Sequence, residues 1–456
     1  MSPLKRKLKR DLFSSKFGVV AAAAGSAVGL GNIWKFPYVL GESGGGAFLI
    51  IYLIFVLSIG LPLMISEFII GRKGRTDVFG SFKNLAPKTL WPFVGYMGIG
   101  AAFLILAFYG VVAGWSLEYI IKAISNTFAD KSSEQIKEAF DTFKSGIFRP
   151  ILWQLIFMGL TAFIVYSGIK DGIEKYAKIL MPLLVILIII LDIRAITLPN
   201  AGQGLEFLLK PDFSKLSANG VLRALGQAFF SLSLGMGALI TYGSYIDNKN
   251  NLTTTAFEVT LADTLIALLA GIAIFPAVFA FGIPPTAGPE LIYITLPNVF
   301  QQMPGGYIFS IMFFVLLGVA ALTSSISILE VVVAYFVEEL NIKRHQATFL
   351  ATGLISVLGI FCGLSIGNNL DGLRPFGMNL FDLLERISSD LLLPLGGLLI
   401  AVFVGWYLGK KQVKDELSNQ GTLRVKYLNL LLFILKFIAP FAIALVFMES
   451  MGMLGR

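Results

Sequence analysis

Charged side chains are scarce in this chain: Asp, Glu, Lys and Arg make up 14% of it, whereas 56% of its residues are hydrophobic. A water-soluble domain carries roughly a quarter charged residues, so this composition indicates that lipid is the solvent for much of the surface. The sequence has a single cysteine, Cys362, and a single histidine, His345. These counts exclude a disulfide framework, a zinc cluster and a Cys–His nucleophile pair.

The net charge of +8 does not require a nucleic-acid partner, and we expect none. In a chain this apolar, excess Lys and Arg marks one side of a membrane. Residues 1–16 hold six of these cations and precede a long apolar stretch, without the short apolar core and small-residue cleavage site of a signal peptide. We expect them to form a retained cytoplasmic tail.

Eleven apolar stretches, each long enough at roughly 20 residues for one helical crossing, predict an all-α membrane protein embedded in the lipid bilayer. With the N-terminus inside, the inner segments hold 22 Lys and Arg and the outer loops hold 10. This asymmetry predicts a cytoplasmic N-terminus in the inner (plasma) membrane. The predicted spans of this single transmembrane domain, residues 1–456, are 17–40, 44–70, 91–123, 150–168, 174–194, 219–245, 254–282, 306–337, 347–366, 380–409 and 427–451.

Two spans are interrupted halfway by glycine together with hydroxyl or amide residues, at 25–32 and 230–237. They lie five spans apart, which is expected if 17–194 and 219–409 are inverted copies of one five-helix unit and 427–451 is an extra helix. Close packing through small residues is an alternative for the first interruption. It does not account for the same pattern in both halves, so we predict that helices 1 and 6 are broken.

A broken helix at mid-membrane exposes N–H and C=O groups that lipid cannot satisfy, so it persists only where it lines a polar cavity or binds a ligand. Half-helix N-termini suit an anion and C-terminal carbonyls suit a cation. Thr323, Ser324 and Ser325 add three hydroxyls to the apolar eighth span. Bonding to carbonyls of the preceding turn is one explanation for them, and ligation of a hard cation is the other. Together these features predict a site for a zwitterion and small cations.

At these residues the chain resembles the neurotransmitter:sodium symporter family, and its bacterial amino-acid transporters in particular, over nearly its whole length. The resemblance is carried by the stretches GSAVGLGNIWKFPY at 25–38, GGGAF at 44–48, FFSLSLG at 229–235 and LTSS at 322–325. It implies two inverted five-helix repeats and a symporter that imports a hydrophobic or aromatic L-amino acid with two Na⁺ by alternating access.

The resemblance also implies the ligands. The first sodium site is expected to comprise Ala27, Asn32, Ser231, Asp263 and the substrate carboxylate, and the second Gly25, Val28, Ala320, Thr323 and Ser324. Residues expected to bind the substrate's carboxylate, amine or side chain are Ala27, Leu30, Gly31, Ile105, Tyr109, Phe230, Ser231, Ser233, Met236, Ser324 and Ile328.

Two positions bear on specificity. Gly29 stands where monoamine members of the family have an aspartate, so we expect an amino acid that brings its own carboxylate. Asp263 lies at or beside a sodium position that is usually asparagine, and an isolated mid-membrane carboxylate is costly unless it has a partner. We expect ionised Asp263 to replace chloride, which other members bind near the equivalents of Tyr52, Gln227 and Ser231. The alternative is a helix-end carboxylate that faces water.

The gates and braces follow from the same resemblance. Lys35 and Asp382 are expected to form an outer gate, and Arg10 and Glu338 an inner one, with Phe13 where tryptophan is common. Glu67 is expected to brace broken helix 6. Gly172 and Pro182 match the spacing of an unwinding segment in span five.

Three alternatives remain. A narrow tyrosine or tryptophan carrier is the first, although Met236 favours tolerance of several side chains. A non-transporting amino-acid receptor is the second. A membrane enzyme is the third, and it lacks an assembled nucleophile, base and orienting partner.

Overall fold

The computed structural model describes residues 11–282, 291–367, 370 and 374–450. Across these residues the chain is helical, and its β-type pairing is limited to an isolated bridge between Gly45 and Pro211. The predicted all-α class is confirmed.

Within the described ranges, nine helices are long and apolar enough to cross a membrane, and a bent pair makes a tenth span. The bent pair is span 1, Lys16–Ala27 and Gly31–Glu42, whose axes differ by 48°. The nine helices are span 2 (Gly46–Gly74), span 3 (Pro92–Ile124), span 4 (Phe148–Tyr166), span 5 (Ile169–Ile196), span 7 (Leu252–Ala280), span 8 (Gly306–Glu338), span 9 (Arg344–Ile366), span 10 (Leu380–Leu417) and span 11 (Leu428–Ser450).

Span 6 is present as two shorter helices, Ala218–Ser231 and Ala238–Ser244, on either side of residues 232–237. Neither of these two helices is long enough to cross a membrane alone, so span 6 is not one of the ten spans above. The predicted total of eleven counts span 6 as one span. The interruptions predicted in spans 1 and 6 are therefore both present.

Short helices lie in the connecting segments, at Val78–Leu85, Ser133–Ser145, Ala201–Leu209 and Thr295–Gln302. The helix Ser133–Ser145 begins with a capping box, in which Ser132 and Gln135 exchange side-chain to backbone hydrogen bonds. This cap sets where the helix begins within the loop between spans 3 and 4.

Span 1 lies at the centre of the bundle, where it packs against spans 5, 7 and 8, and the second half of span 6 packs against span 2. Large apolar side chains are left exposed on the outer helices, as at Phe163, Ile186, Val357 and Phe441. In water such a surface would be unfavourable, whereas in a bilayer it is the normal exterior. The single cysteine, Cys362, is fully buried in span 9.

Candidate functional site

The break in span 1 follows from its sequence. The first helix ends at Ala27, and Val28 is extended, with φ −71° and ψ 111°. A Cβ atom on Gly29 would lie 2.2 Å from the Ser324 hydroxyl oxygen and 2.9 Å from that of Tyr109. A larger residue at this position would therefore have to displace one or both hydroxyls from their present positions.

The break in span 6 depends on residues that adopt left-handed backbone. Ser233, Gly235 and Gly237 have φ values of 54°, 83° and 81°. A Cβ atom on Gly235 would meet the Leu393 carbonyl oxygen at 2.4 Å, which excludes any other residue without a shift of the backbone. The Gly235 N–H donates to the Glu67 carboxylate at 2.7 Å. This is the bracing contact expected for Glu67.

The residues expected at the second sodium site come together between span 8 and the break in span 1. Ser324 Oγ lies 2.9 Å from the Val28 carbonyl oxygen and 3.4 Å from that of Gly25. Thr323 Oγ1 lies 3.0 Å from the Ala320 carbonyl oxygen and 3.4 Å from that of Val28. Five neutral oxygens thus converge in the protein interior, which is the donor set that a hard cation prefers.

The third hydroxyl of span 8 does not join this cluster. Ser325 donates to the Leu322 carbonyl of its own helix and lies 3.0 Å from the Thr161 hydroxyl in span 4. For Ser325 the explanation by bonding within the helix is therefore correct.

Asp263 lies within a hydrogen-bonded cluster at the other side of the break. Asn32 Nδ2 donates to Asp263 Oδ1 at 2.7 Å, and Ser231 Oγ donates to Asp263 Oδ2 at 2.9 Å. Tyr52 donates to Ser231 Oγ at 3.2 Å. Asp263 is fully buried in the middle of span 7, so the alternative of a helix-end carboxylate facing water is wrong. Among the described residues Asp263 has only neutral donors and no positive partner, which a cation would supply.

Gln227 is next to this cluster. Its Nε2 donates to the Gly31 carbonyl at 2.9 Å, whereas its buried Oε1 has no hydrogen-bond partner among the described residues. Ala27, the remaining residue expected at the first sodium site, ends the first helix of span 1.

A cavity of about 260 Å³ begins at the breaks and includes three residues expected to bind the substrate, Leu30, Tyr109 and Phe230. The Leu30 N–H donates to the Tyr109 hydroxyl at 3.2 Å. The amide thus holds the phenol oxygen, and the phenol can donate its O–H at the inner end of a largely apolar chamber. Such an arrangement suits a small carboxylate.

Other residues expected to bind the substrate do not line this cavity. Ile105, Met236 and Ile328 are buried, with 1%, 3% and 3% of their surfaces exposed. Ser233 donates to the Ser26 carbonyl at 2.9 Å, which ties the two breaks together.

Sequence reasoning missed the aromatic part of the cavity wall, which includes Trp115 of span 3 and Phe140 of the loop helix Ser133–Ser145. Their rings pack edge to face, with centroids 5.5 Å apart. In the sequence these residues look like ordinary packing residues, because nothing local distinguishes an aromatic wall from an aromatic core.

The structure corrects the partner expected for Lys35. Its ammonium lies 3.4 Å from Glu385 Oε1 and 4.3 Å from the centre of the Phe230 ring. Asp382 instead accepts a hydrogen bond from Asn379, at 2.8 Å in the first turn of span 10. Asp382 and Glu385 share one helix face and both line the cavity, but only Glu385 is near enough to pair.

The ion pair between Lys35 and Glu385 predicts different effects for substitutions of Glu385 and of Asp382. Glu385→Gln should lower the apparent substrate affinity by up to about fivefold, because a partly exposed ion pair contributes about 0.2–1 kcal/mol. Asp382→Asn is the matched control and should change it less. Initial uptake rates across a substrate series measure both. A larger effect of Asp382→Asn would instead support the pairing of Lys35 with Asp382 that is expected from the sequence.

Of the inner pair, Arg10 lies outside the described residues. Glu338 accepts hydrogen bonds from the Asp77 backbone at 2.9 Å and the Thr76 hydroxyl at 2.5 Å. Phe13 is buried, its N–H donates to the Tyr245 carbonyl at 3.1 Å, and its ring packs edge-on against Tyr245. Phe13 therefore docks the described part of the tail against the end of span 6.

Span 5 begins with a π-helical segment, Ile169–Glu174, which contains Gly172. Glu174 accepts hydrogen bonds from the Ser14 N–H at 2.7 Å and the Ser14 hydroxyl at 2.6 Å, and pairs with Lys178 at 2.6 Å. Pro182 lies within the helix that follows. The tail is thus attached to the segment expected to unwind, and the unwinding itself remains a prediction.

An all-helical, multi-span protein with two broken helices around oxygen-rich clusters has the architecture of a secondary transporter. The model of the sodium:neurotransmitter symporter family matches residues 10–145 and 128–454. The chain belongs to this family. It is a multi-pass membrane transporter of the sodium-dependent symporter class and not an enzyme.

Individual relatives are similar to this chain over nearly its full length. An uncharacterised sodium-dependent transporter of Bacillus subtilis (strain 168) is 40% identical over 443 residues, which cover 97% of this chain and 98% of the relative. A similar transporter of Methanocaldococcus jannaschii is 33% identical over 92% of this chain and 86% of its own. The crystal structure of MhsT in complex with L-phenylalanine matches this structure with a TM-score of 0.89, over 97% of this chain and 100% of the MhsT chain, and the two sequences are 45% identical.

Proposed function

We propose that this transporter imports one hydrophobic or aromatic L-amino acid with two Na⁺ by alternating access, and that it does not need chloride. The observation that carries the proposal is the convergence of two hydroxyls on the carbonyls freed by the break in span 1, with Ser324 Oγ 2.9 Å from the Val28 oxygen. Neutral oxygens of this kind replace the hydration shell of a small cation. Membership of a sodium-dependent family and likeness to a protein solved with L-phenylalanine support the same conclusion.

The substrate's polar groups have complementary partners at the breaks. In this proposal its carboxylate meets the Leu30 and Gly31 N–H groups and the Tyr109 phenol. Its amine faces carbonyls of span 1 and span 6 near Ser233. Because Gly29 offers no side-chain carboxylate, a biogenic amine would lack a counter-charge there. The aromatic cavity wall favours an apolar or aromatic side chain.

The two ions would occupy different chemical environments. The first would be bound by Asn32, Ser231, the Ala27 carbonyl and the substrate carboxylate, with Asp263 in contact or adjacent. The second would use only neutral oxygens around Ser324. Since the first site includes the substrate, sodium at this site couples ion binding to substrate binding.

The orientation is proposed from charge. Lys and Arg number 22 in the segments on the N-terminal side of the membrane and 10 in the opposite loops. This asymmetry supports an N-terminus in the cytoplasm, with the cavity beside Lys35 opening to the outside. The membrane would be the inner (plasma) membrane of the cell.

Substrate and sodium dependence are tested together by a binding panel. Purified protein should bind L-phenylalanine, L-tryptophan and L-leucine in sodium, and at least about tenfold more weakly in potassium, since the substrate carboxylate then lacks its cation. Dopamine should not compete. Equal binding in potassium would refute the sodium coupling, and competition by dopamine would refute the role of Gly29.

Uptake separates this function from the receptor alternative. Proteoliposomes with an inward sodium gradient should accumulate the bound amino acid, and collapse of the gradient by a sodium ionophore should release it. Sodium-dependent binding without accumulation would favour a receptor. Binding of tyrosine and tryptophan alone would favour the narrow carrier.

A further inference from the structure

A second cavity, distinct from the substrate site, opens where span 3, the loop helix Ser133–Ser145 and span 4 meet. Its volume is about 540 Å³. Three of its lining residues are basic, Lys122, Lys131 and Arg149, and one is acidic, Glu138. Nothing in the transport site uses these residues.

The basic residues of this cavity are only partly neutralised by their surroundings. Arg149 and Lys122 share one buried carboxylate, Glu118, at 2.7 and 3.7 Å. Lys131 makes no ion pair within the part of the chain that the structure describes, and both Lys131 and Arg149 are close enough to Lys122 to repel it. Three cations against Glu118 and Glu138 leave one positive charge in excess, which matches one phosphodiester.

The cavity lies at the depth of lipid headgroups. Span 4 has 19 residues, so its length at 1.5 Å per residue is about 28 Å, close to the thickness of the hydrocarbon core. Its two ends must therefore lie near the two interfaces. Arg149 is the second residue of this helix and so projects at headgroup level.

Apolar side chains flank the basic residues at the same end. Phe148 and Ile147 have 74% and 58% of their surfaces exposed, and Ile124, at the end of span 3, has 50%. In the loop between two membrane spans, such a group faces acyl chains rather than water. The juxtaposition of a partly neutralised basic cavity and an apolar flank fits an amphiphile with an anionic head.

We propose that this cavity binds an anionic phospholipid of the outer leaflet. Its phosphodiester accepts hydrogen bonds from Lys131, Lys122 and Arg149, and its acyl chains lie along Phe148 and Ile147. A zwitterionic phospholipid binds less well, because its own cation is repelled by the excess positive charge.

Native mass spectrometry of the full chain, titrated in detergent with dioleoyl phosphatidylglycerol or dioleoyl phosphatidylcholine, tests the proposal. We expect preferential retention of phosphatidylglycerol. Lys131→Gln should weaken the binding of phosphatidylglycerol about fivefold, since one basic residue near an anionic headgroup contributes about 1 kcal/mol. Lys137→Gln is the matched control: it removes the same charge from an exposed position of the loop helix that does not line the cavity.

Three results would overturn the proposal. Equal retention of the two lipids would remove the requirement for an anion. Equal effects of Lys131→Gln and Lys137→Gln would show that the lipid does not bind in this cavity. Displacement by sn-glycerol 1-phosphate as effectively as by phosphatidylglycerol at the same concentration would make the ligand a soluble phosphate ester. Lys131 lies outside the transport machinery, so sodium-driven uptake should persist in all variants and reports that they are folded.

Discussion

Asp263→Asn should make uptake by this transporter depend on chloride. The carboxylate is fully buried and receives hydrogen bonds from Asn32 and Ser231, so an amide of the same shape keeps one acceptor oxygen, for Asn32, while its negative charge is lost. Removal of one member of a buried charge pair costs about 3–5 kcal/mol. Initial uptake of L-phenylalanine in gluconate medium should therefore fall well over tenfold, and chloride should restore most of it.

The proper control is a second buried carboxylate. Asp192 in span 5 is 7% exposed, and its oxygens have no hydrogen-bond partner among the described residues. Asp192→Asn makes the same chemical change away from the ion clusters and should not introduce a chloride requirement. Full activity of Asp263→Asn without chloride would show that its charge is dispensable. Inactivity in both media, with the protein folded, would show that the carboxylate is needed as an ion ligand rather than as a substitute for chloride.

The second large effect is expected at Gly29. In Gly29→Ala the new methyl carbon would lie 2.2 Å from Ser324 Oγ and 2.9 Å from the Tyr109 oxygen. Those hydroxyls belong to the proposed second sodium site and the carboxylate site, so relief of the clash disturbs both. Overpacking of this kind costs about 1–3 kcal/mol, which corresponds to a loss of about five- to 150-fold in sodium-dependent affinity for L-phenylalanine.

Gly226→Ala is the matched variant for this measurement. Gly226 lies in the first helix of span 6, and a Cβ atom there would have no neighbour within 4 Å. Its methyl group should leave the sodium titration unchanged. If Gly29→Ala also retained the original sodium and substrate affinities, the close approach of the break to Ser324 would not be required for binding.

The breaks could be predicted from sequence because they depend on residue types. Gly29 and Gly235 occupy positions where a side chain would collide with other helices, and a glycine amid hydroxyl residues in an apolar span is visible in the sequence itself. The cluster around Ser324 could be predicted because the resemblance supplied the pairing of distant segments.

Contacts that depend on helix rotation and loop packing could not be predicted. Asp382 and Glu385 are three residues apart on one helix, and only the packing of span 10 decides which carboxylate reaches Lys35. The positions of Trp115 and Phe140 at the cavity depend likewise on how the loop helix folds back over span 3.

The buried position of Cys362 gives the protein a practical advantage for kinetic work. Its thiol is inaccessible to bulky maleimides, so a cysteine introduced elsewhere would be the only reactive one without prior mutagenesis. Gly226 is suitable for such a label, because it has open space around it and lines a cavity beside Lys35. Its modification rate, followed with and without sodium, would report in real time whether this cavity changes its exposure to solvent when the ion binds.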